Sequence, residues 1–185
     1  MTLNKVKEEG VKDTVLFETK YIKVKKRDNW YDLSSSQGTN ELVAVTISNK
    51  QGQWLVRNEN CPPYYQNNKN NFSLVALTGM IENRESPKKA VIRELLEESG
   101  LTKKDYKLEY MGWVFTNKQS DLKIHLFRGH ITQGNPKRNN KKLIGKGDGT
   151  KGEVGSYAMW RTRATIYKNS KCGIIYQLMA ITYPR

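Results

Sequence analysis

Cysteine is scarce in this chain of 185 residues, which holds two, Cys61 and Cys172. Two thiols so far apart match no metal-ligand spacing, and their simplest reading is as free thiols in a reducing compartment. Long apolar runs are also missing, which excludes a membrane-spanning helix, and MTLNKVKEEGVKDTV at the start has no apolar signal core. A cytoplasmic location and no membrane partner are the expectation. Acidic residues are outnumbered, 18 Asp and Glu against 32 Lys and Arg, for a net charge of +14. A basic surface suits nucleic acid, acidic membranes and phosphorylated small molecules alike, so charge permits a class of partner without choosing one. The sequence also lacks internal repeats.

What is present reads as one folding unit with a core. Hydrophobic content of 37% and charged content of 27% are ordinary for a globular protein. Residues 1–40 read as a charged lead followed by a strand segment, with VLFETKYIKVKK mixing β-branched and aromatic residues with lysines as an edge strand or bent hairpin would. Residues 41–185 read as the main domain. ELVAVTISN at 41–49 and WLVRNE at 54–59 flank Lys50–Gln53, whose Gly52 suits a hairpin turn. FSLVALTG at 72–79 reads as one apolar strand, and strands are expected over 106–115, 122–131 and 154–161. An apolar helix is expected over 172–182. The Gly/Lys/Asn-rich stretch 132–152 is longer than an ordinary connection, as functional loops often are.

Between the apolar strand and the next stands Gly79 to Leu101, GMIENRESPKKAVIRELLEESGL. Ser86 can cap a helix, Pro87 suits its first position, and Gly100 can take the left-handed conformation that closes it. At 3.6 residues per turn Val91, Ile92, Leu95 and Leu96 fall on one arc, and Arg93, Glu94, Glu97 and Glu98 on the other. Three carboxylates within a turn repel one another unless a cation lies among them. Hard divalent ions such as Mg²⁺ take carboxylate and phosphate oxygens, and this face supplies the former. Lys88, Lys89 and Ser99 read as plain surface.

The stretch fits G-x5-E-x7-R-E-U-x-E-E-x-G-U, with U aliphatic, at Gly79, Glu85, Arg93, Glu94, Leu95, Glu97, Glu98, Gly100 and Leu101. A chance match is on the order of one in a million, taking residue usage of roughly 7% at seven of these positions. It resembles a Nudix box. The resemblance implies an α/β class fold, an α/β/α sandwich with a mixed β-sheet, and Mg²⁺- or Mn²⁺-dependent hydrolysis of a nucleoside diphosphate linked to a group X. It further implies that Glu94 and Glu98 ligate metal, that Glu97 is a ligand or a base, and that the backbone carbonyl of Thr78 adds a ligand. Arg93 would orient the glutamates and Glu85 would pair with Arg93. In the diphosphatases for ADP-ribose a loop glutamate activates the water, and Glu153 stands in the matching place, with Asp148 as the alternative. His125 and His130 fall in a strand and read as structural.

The identity of X rests on less. The strand segment before the first hairpin and the run QSDLKIHLFRGHI at 119–131 are similar to ADP-ribose and nucleotide-sugar diphosphatases, whereas the proline usual some sixteen residues after their box is replaced here by Thr116 and Asn117. Base stacking needs an exposed aromatic, and Trp30, Tyr31, Tyr64 and Tyr65 are candidates, the first two foremost. The expectation is a small nucleotide substrate and a homodimer through the N-terminal strands. The alternatives are a Nudix enzyme for nucleoside triphosphates, dinucleoside polyphosphates or RNA 5′ ends, to which the basic stretch Lys137 to Lys151 lends weight, and a non-catalytic nucleotide- or RNA-binding module.

Overall fold

The computed structural model describes residues 13–20, 22–27, 30–35, 39–60, 72–117, 120–132, 143 and 155–181. Glu153, Asp148, Cys61, Tyr64, Tyr65 and the basic stretch 137–151, all singled out from the sequence, lie outside them. The chain runs β1 (Thr14–Glu18), β2 (Ile22–Arg27), β3 (Trp30–Ser35), β4 (Glu41–Ser48), β5 (Trp54–Asn60), β6 (Phe72–Val75), β7 (Leu77–Met80), α1 (Pro87–Ser99), β8 (Tyr106–Phe115), β9 (Lys123–Ile131), β10 (Tyr157–Arg161), α2 (Arg163–Asn169) and α3 (Gly173–Ile181).

Seven strands form one mixed sheet in the order β10-β5-β4-β9-β8, with β6 beside β5 and β7 beside β4. Of its ladders β4–β9 alone is parallel; the others are antiparallel. Because neighbouring residues in a strand face opposite ways, the central strands bury both sets. Val43, Val45, Ile47, Leu55 and Phe127 pack with Val91 and Leu95 of α1. Ala44, Val56, Leu126 and Met159 pack on the other side with Ile166 of α2 and Ile175, Leu178 and Met179 of α3. The result is the expected α/β/α sandwich.

Several boundaries differ from the sequence reading for local reasons. The 41–59 hairpin is closed at its turn, where the Asn49 side chain accepts from the Gln51 and Gln53 amides at 3.0 and 2.9 Å and Gly52 takes φ 70°. Its strands then part: β4 and β5 pair only at Ser48 and Trp54. The opening admits the apolar 72–79 segment, which is two strands rather than one, since β6 pairs with β5 and β7 with β4. Helix α2 has no counterpart among the elements expected from the sequence; it is short and Ile166 is its buried residue, which leaves little periodicity to read.

The N-terminal segment is the larger departure. In place of an edge strand on the main sheet, β1, β2 and β3 form their own three-stranded antiparallel sheet. Register sets Phe17 opposite Val24 and Val24 opposite Leu33. Ile22 and Tyr31, each two residues along its strand, share that apolar face.

Candidate active site

The site is built where β7 runs through a turn into α1. Met80 ends the strand, and the turn closes with the Glu85 amide donating to the Glu82 carbonyl at 3.0 Å and the Glu82 amide to Glu85 Oε2 at 3.1 Å. Arg84 takes φ 64° in this turn, a left-handed conformation uncommon outside glycine. Ser86 then caps α1 by accepting from the Lys89 amide at 3.3 Å, and Pro87 opens the helix. Gly100 closes it at φ 70° with its amide on the Leu96 carbonyl. The helix is therefore fixed at both ends.

Arg93 is the hub. Its guanidinium makes a two-point contact with Glu85 at 3.1 and 3.0 Å and donates to Glu94 Oε1 at 2.7 Å, to Glu97 Oε2 at 3.1 Å and to the Met80 carbonyl at 2.8 Å. The pair with Arg93 holds the Glu85 carboxyl below its ordinary range, and the same contact pushes the Arg93 guanidinium up, so both stay charged. Glu94 lies against Gly79, where a Cβ would fall on its carboxylate. The glycine there gives the carboxylate room.

Glu98 departs from the sequence reading. The helical spacing puts it on the polar arc, yet its side chain is 5% exposed and forms an ion pair with Arg57 of β5, itself 7% exposed. Glu98 follows Val91 by two helical turns, so it stands above a core residue and faces the sheet. Leu96 is the converse: assigned to the packing arc, it falls over a third of a turn from Val91 and is 50% exposed. Ser99, read as surface, is buried and donates to the Leu95 carbonyl at 2.6 Å. Sequence reasoning also missed Arg57. A charge two residues after Leu55 in the apolar run WLVRN, at the parity that faces α1, was the available signal.

Among the described residues, no three His, Cys, Asp or Glu side chains stand gathered as a ready metal site. Two arginines divide the carboxylates between them, Arg93 taking Glu94 and Glu97, and Arg57 taking Glu98. The donor set nevertheless fits a hard divalent ion. It offers carboxylate oxygens, and Glu98 Oε2 is buried with no hydrogen-bond partner among the described residues. Thr78 is paired with Ala44 one residue before Gly79, at the level of Glu94.

The other described residues singled out belong to strands outside the β7–α1 stretch. His125 is buried in β9 between Glu41 Oε2 at 3.1 Å and the Tyr110 hydroxyl at 2.9 Å, and His130 is exposed near the end of the same strand. Trp30 and Tyr31 are adjacent in β3 and so point to opposite faces of the N-terminal sheet, 54% and 59% exposed.

This arrangement, a sandwich whose strand-turn-helix carries an arginine among four glutamates, defines a class of fold and site with known members. The family model of the NUDIX domain matches residues 39–162. The chain belongs to the Nudix family. DR0079 from Deinococcus radiodurans, a solved crystal structure, superposes with a TM-score of 0.51 at 14% identity, over 80% of this chain and 87% of that one, a likeness of fold alone. No curated protein matches the sequence. The described helices include none long and apolar enough to cross a membrane.

Proposed function

We propose that this chain is a Mg²⁺- or Mn²⁺-dependent pyrophosphohydrolase that splits the diphosphate of a nucleoside diphosphate linked to X, ADP-ribose or a nucleotide sugar, into two monophosphates. The observation that carries the reading is the Arg93 hub, which holds Glu97 and the Glu94 carboxylate that lies against Gly79, while Glu98 of the same helix is buried on Arg57. Glu94, Glu98 and the Thr78 carbonyl would hold the ion, which when bound neutralises phosphate charge and acidifies a water. Arg93 fixes the direction of the Glu94 and Glu97 carboxylates, and Glu85, held ionised by Arg93, fixes Arg93 in turn. Glu153 takes the proton from the attacking water, with Asp148 or Glu97 as the alternative base, and the bridging P–O bond breaks with the second phosphate leaving.

The nucleotide-sugar class is supported by the segment preceding the Nudix domain, which forms a discrete sheet with two exposed aromatics, Trp30 and Tyr31. Since they face opposite sides, one of them stacks the base. The same sheet pairs two copies of the chain, because its face carrying Phe17, Ile22, Tyr31 and Leu33 is apolar and exposed. RNA 5′ ends form the second reading, favoured by the net charge of +14.

Phosphate-coupled turnover with each metal on ADP-ribose, other nucleotide sugars, dinucleoside polyphosphates, nucleoside triphosphates and 5′-triphosphate RNA tests the reading. Cleavage of the first two classes, lost at least about a hundredfold in Glu98→Gln, is the expected result. Turnover of triphosphate or RNA alone moves the substrate to the second reading.

A further inference from the structure

Among the described residues one buried ion pair joins a proposed metal-ligating carboxylate to a residue outside the Nudix box, Arg57 with Glu98. Without it Glu98 would be an uncompensated charge in the interior, an arrangement proteins avoid. Arg93 is not available for the task, being engaged by Glu85, Glu94, Glu97 and the Met80 carbonyl. Arg57 comes from β5, between β6 and β10, so the pair also ties α1 to the sheet. We propose that Arg57 is a positioning residue that occupies Glu98 as an internal counter-cation until a divalent ion displaces it.

Three observations bear on the exchange. Glu98 and Glu94 are held by different guanidiniums, so an ion shared between the two carboxylates competes with Arg57 for Glu98. Glu98 Oε2, buried and unpartnered among the described residues, is an oxygen whose bonding capacity a cation would satisfy. Glu59, two residues on and on the same side of β5, lies with Oε2 3.5 Å from Arg57 Nε and is more exposed than Glu98. It receives the guanidinium as Glu98 is taken up, so every charge stays paired in both states. The cationic guanidinium opposes a second cation at short range, where screening is weak.

The proposal rests on Glu98 being a metal ligand, and the experiment separates the two claims. Mn²⁺ binding without nucleotide is followed by electron paramagnetic resonance for the wild type, Arg57→Gln and Glu98→Gln. Arg57→Gln is expected to bind Mn²⁺ about tenfold more tightly, the scale on which neighbours of metal ligands act, and Glu98→Gln more weakly. Weaker Glu98→Gln binding with unchanged or weaker Arg57→Gln binding overturns the role of Arg57 and leaves the ligand in place. An unchanged Glu98→Gln overturns the ligand assignment itself. Should Arg57→Gln fail to fold, the wild type suffices: the Arg57 Nε–H resonance is expected to exchange with water faster once Mg²⁺ is added, and an unaltered rate overturns the proposal.

Discussion

The two sheets of this chain solve the problem of burial in opposite ways. In the seven-stranded sheet α1 covers one face and α2 and α3 the other, so Val43, Ala44 and Leu77 are each at most 1% exposed. The N-terminal sheet leaves Phe17 at 54% and Tyr31 at 59% exposure. It is joined to the rest by polar links: Ser120 Oγ donates to the Leu33 carbonyl at 2.9 Å, the Asp121 amide to Asp32 at 3.1 Å, and Lys25 pairs with Asp121 at 3.5 Å. Chemistry that needs carboxylates fixed to within a fraction of an ångström belongs on the first kind of scaffold. A surface that needs to meet another molecule belongs on the second.

The largest effect that would break this contrast lies in the sandwich. Gly79→Ala sets a methyl group on the Glu94 carboxylate. The oxygen nearest that methyl, Glu94 Oε1, also accepts from Arg93 at 2.7 Å, so a carboxylate that moves aside gives up its bond to the hub. Turnover is expected to fall about a hundredfold, as when a metal ligand is misplaced, with an unchanged circular dichroism spectrum. Activity within threefold of the wild type would show that Glu94 is not confined by this glycine.

Much of that site was legible because its cues are local. Ser86, Pro87 and Gly100 punctuate α1 within a single stretch, and the structure uses them as cap, first turn and left-handed close. The exposed 41–59 turn was legible for the same reason. What stayed hidden depends on partners distant in sequence. Arg57 is separated from Glu98 by forty-one positions, and nothing local says that β5 will lie beneath α1. The parting of β4 from β5, which splits 72–79 into two strands, follows from insertion of that segment between them. A sheet of its own over β1 to β3 was unreadable because Val15, Phe17, Ile22 and Val24 suit a strand anywhere, and apolar residues alone do not name the surface they will meet.

A smaller effect is expected at the exposed face. Leu33, 39% exposed at the end of the Phe17–Val24–Leu33 row, is the contact through which two copies are proposed to pair. Leu33→Lys puts a charge there while its carbonyl still accepts from Ser120. Sedimentation should change from dimer to monomer, a loss of about 2–3 kcal/mol of association free energy for a burial-dependent contact of this size. A wild-type monomer at micromolar concentration would instead free this face for another partner.

The smallest effect distinguishes the two regions by the sign of a pH dependence. Glu85, in the α1 turn, is held below its ordinary range by the hydrogen bonds from Arg93. Asp121, where the two sheets join, is pushed up by burial and by the nearby Asp32 carboxylate. A depressed carboxyl stabilises the fold above its unfolded pKa of about 4.3 and loses that contribution as pH falls through the folded value. A raised one costs stability at neutral pH, and the cost is relieved as pH falls from above its folded value toward about 3.9. Glu85→Gln should therefore lower stability at pH 7 by about 1–2 kcal/mol. Asp121→Asn should raise it by about 0.5 kcal/mol, discounted because the group is one-third exposed and paired with Lys25. Both differences should close as melting is followed from pH 7 to about pH 3. Two variants moving in the same direction would mean that the joint between the sheets is held by its charges, as the α1 turn is, and that the contrast between the regions is one of burial alone.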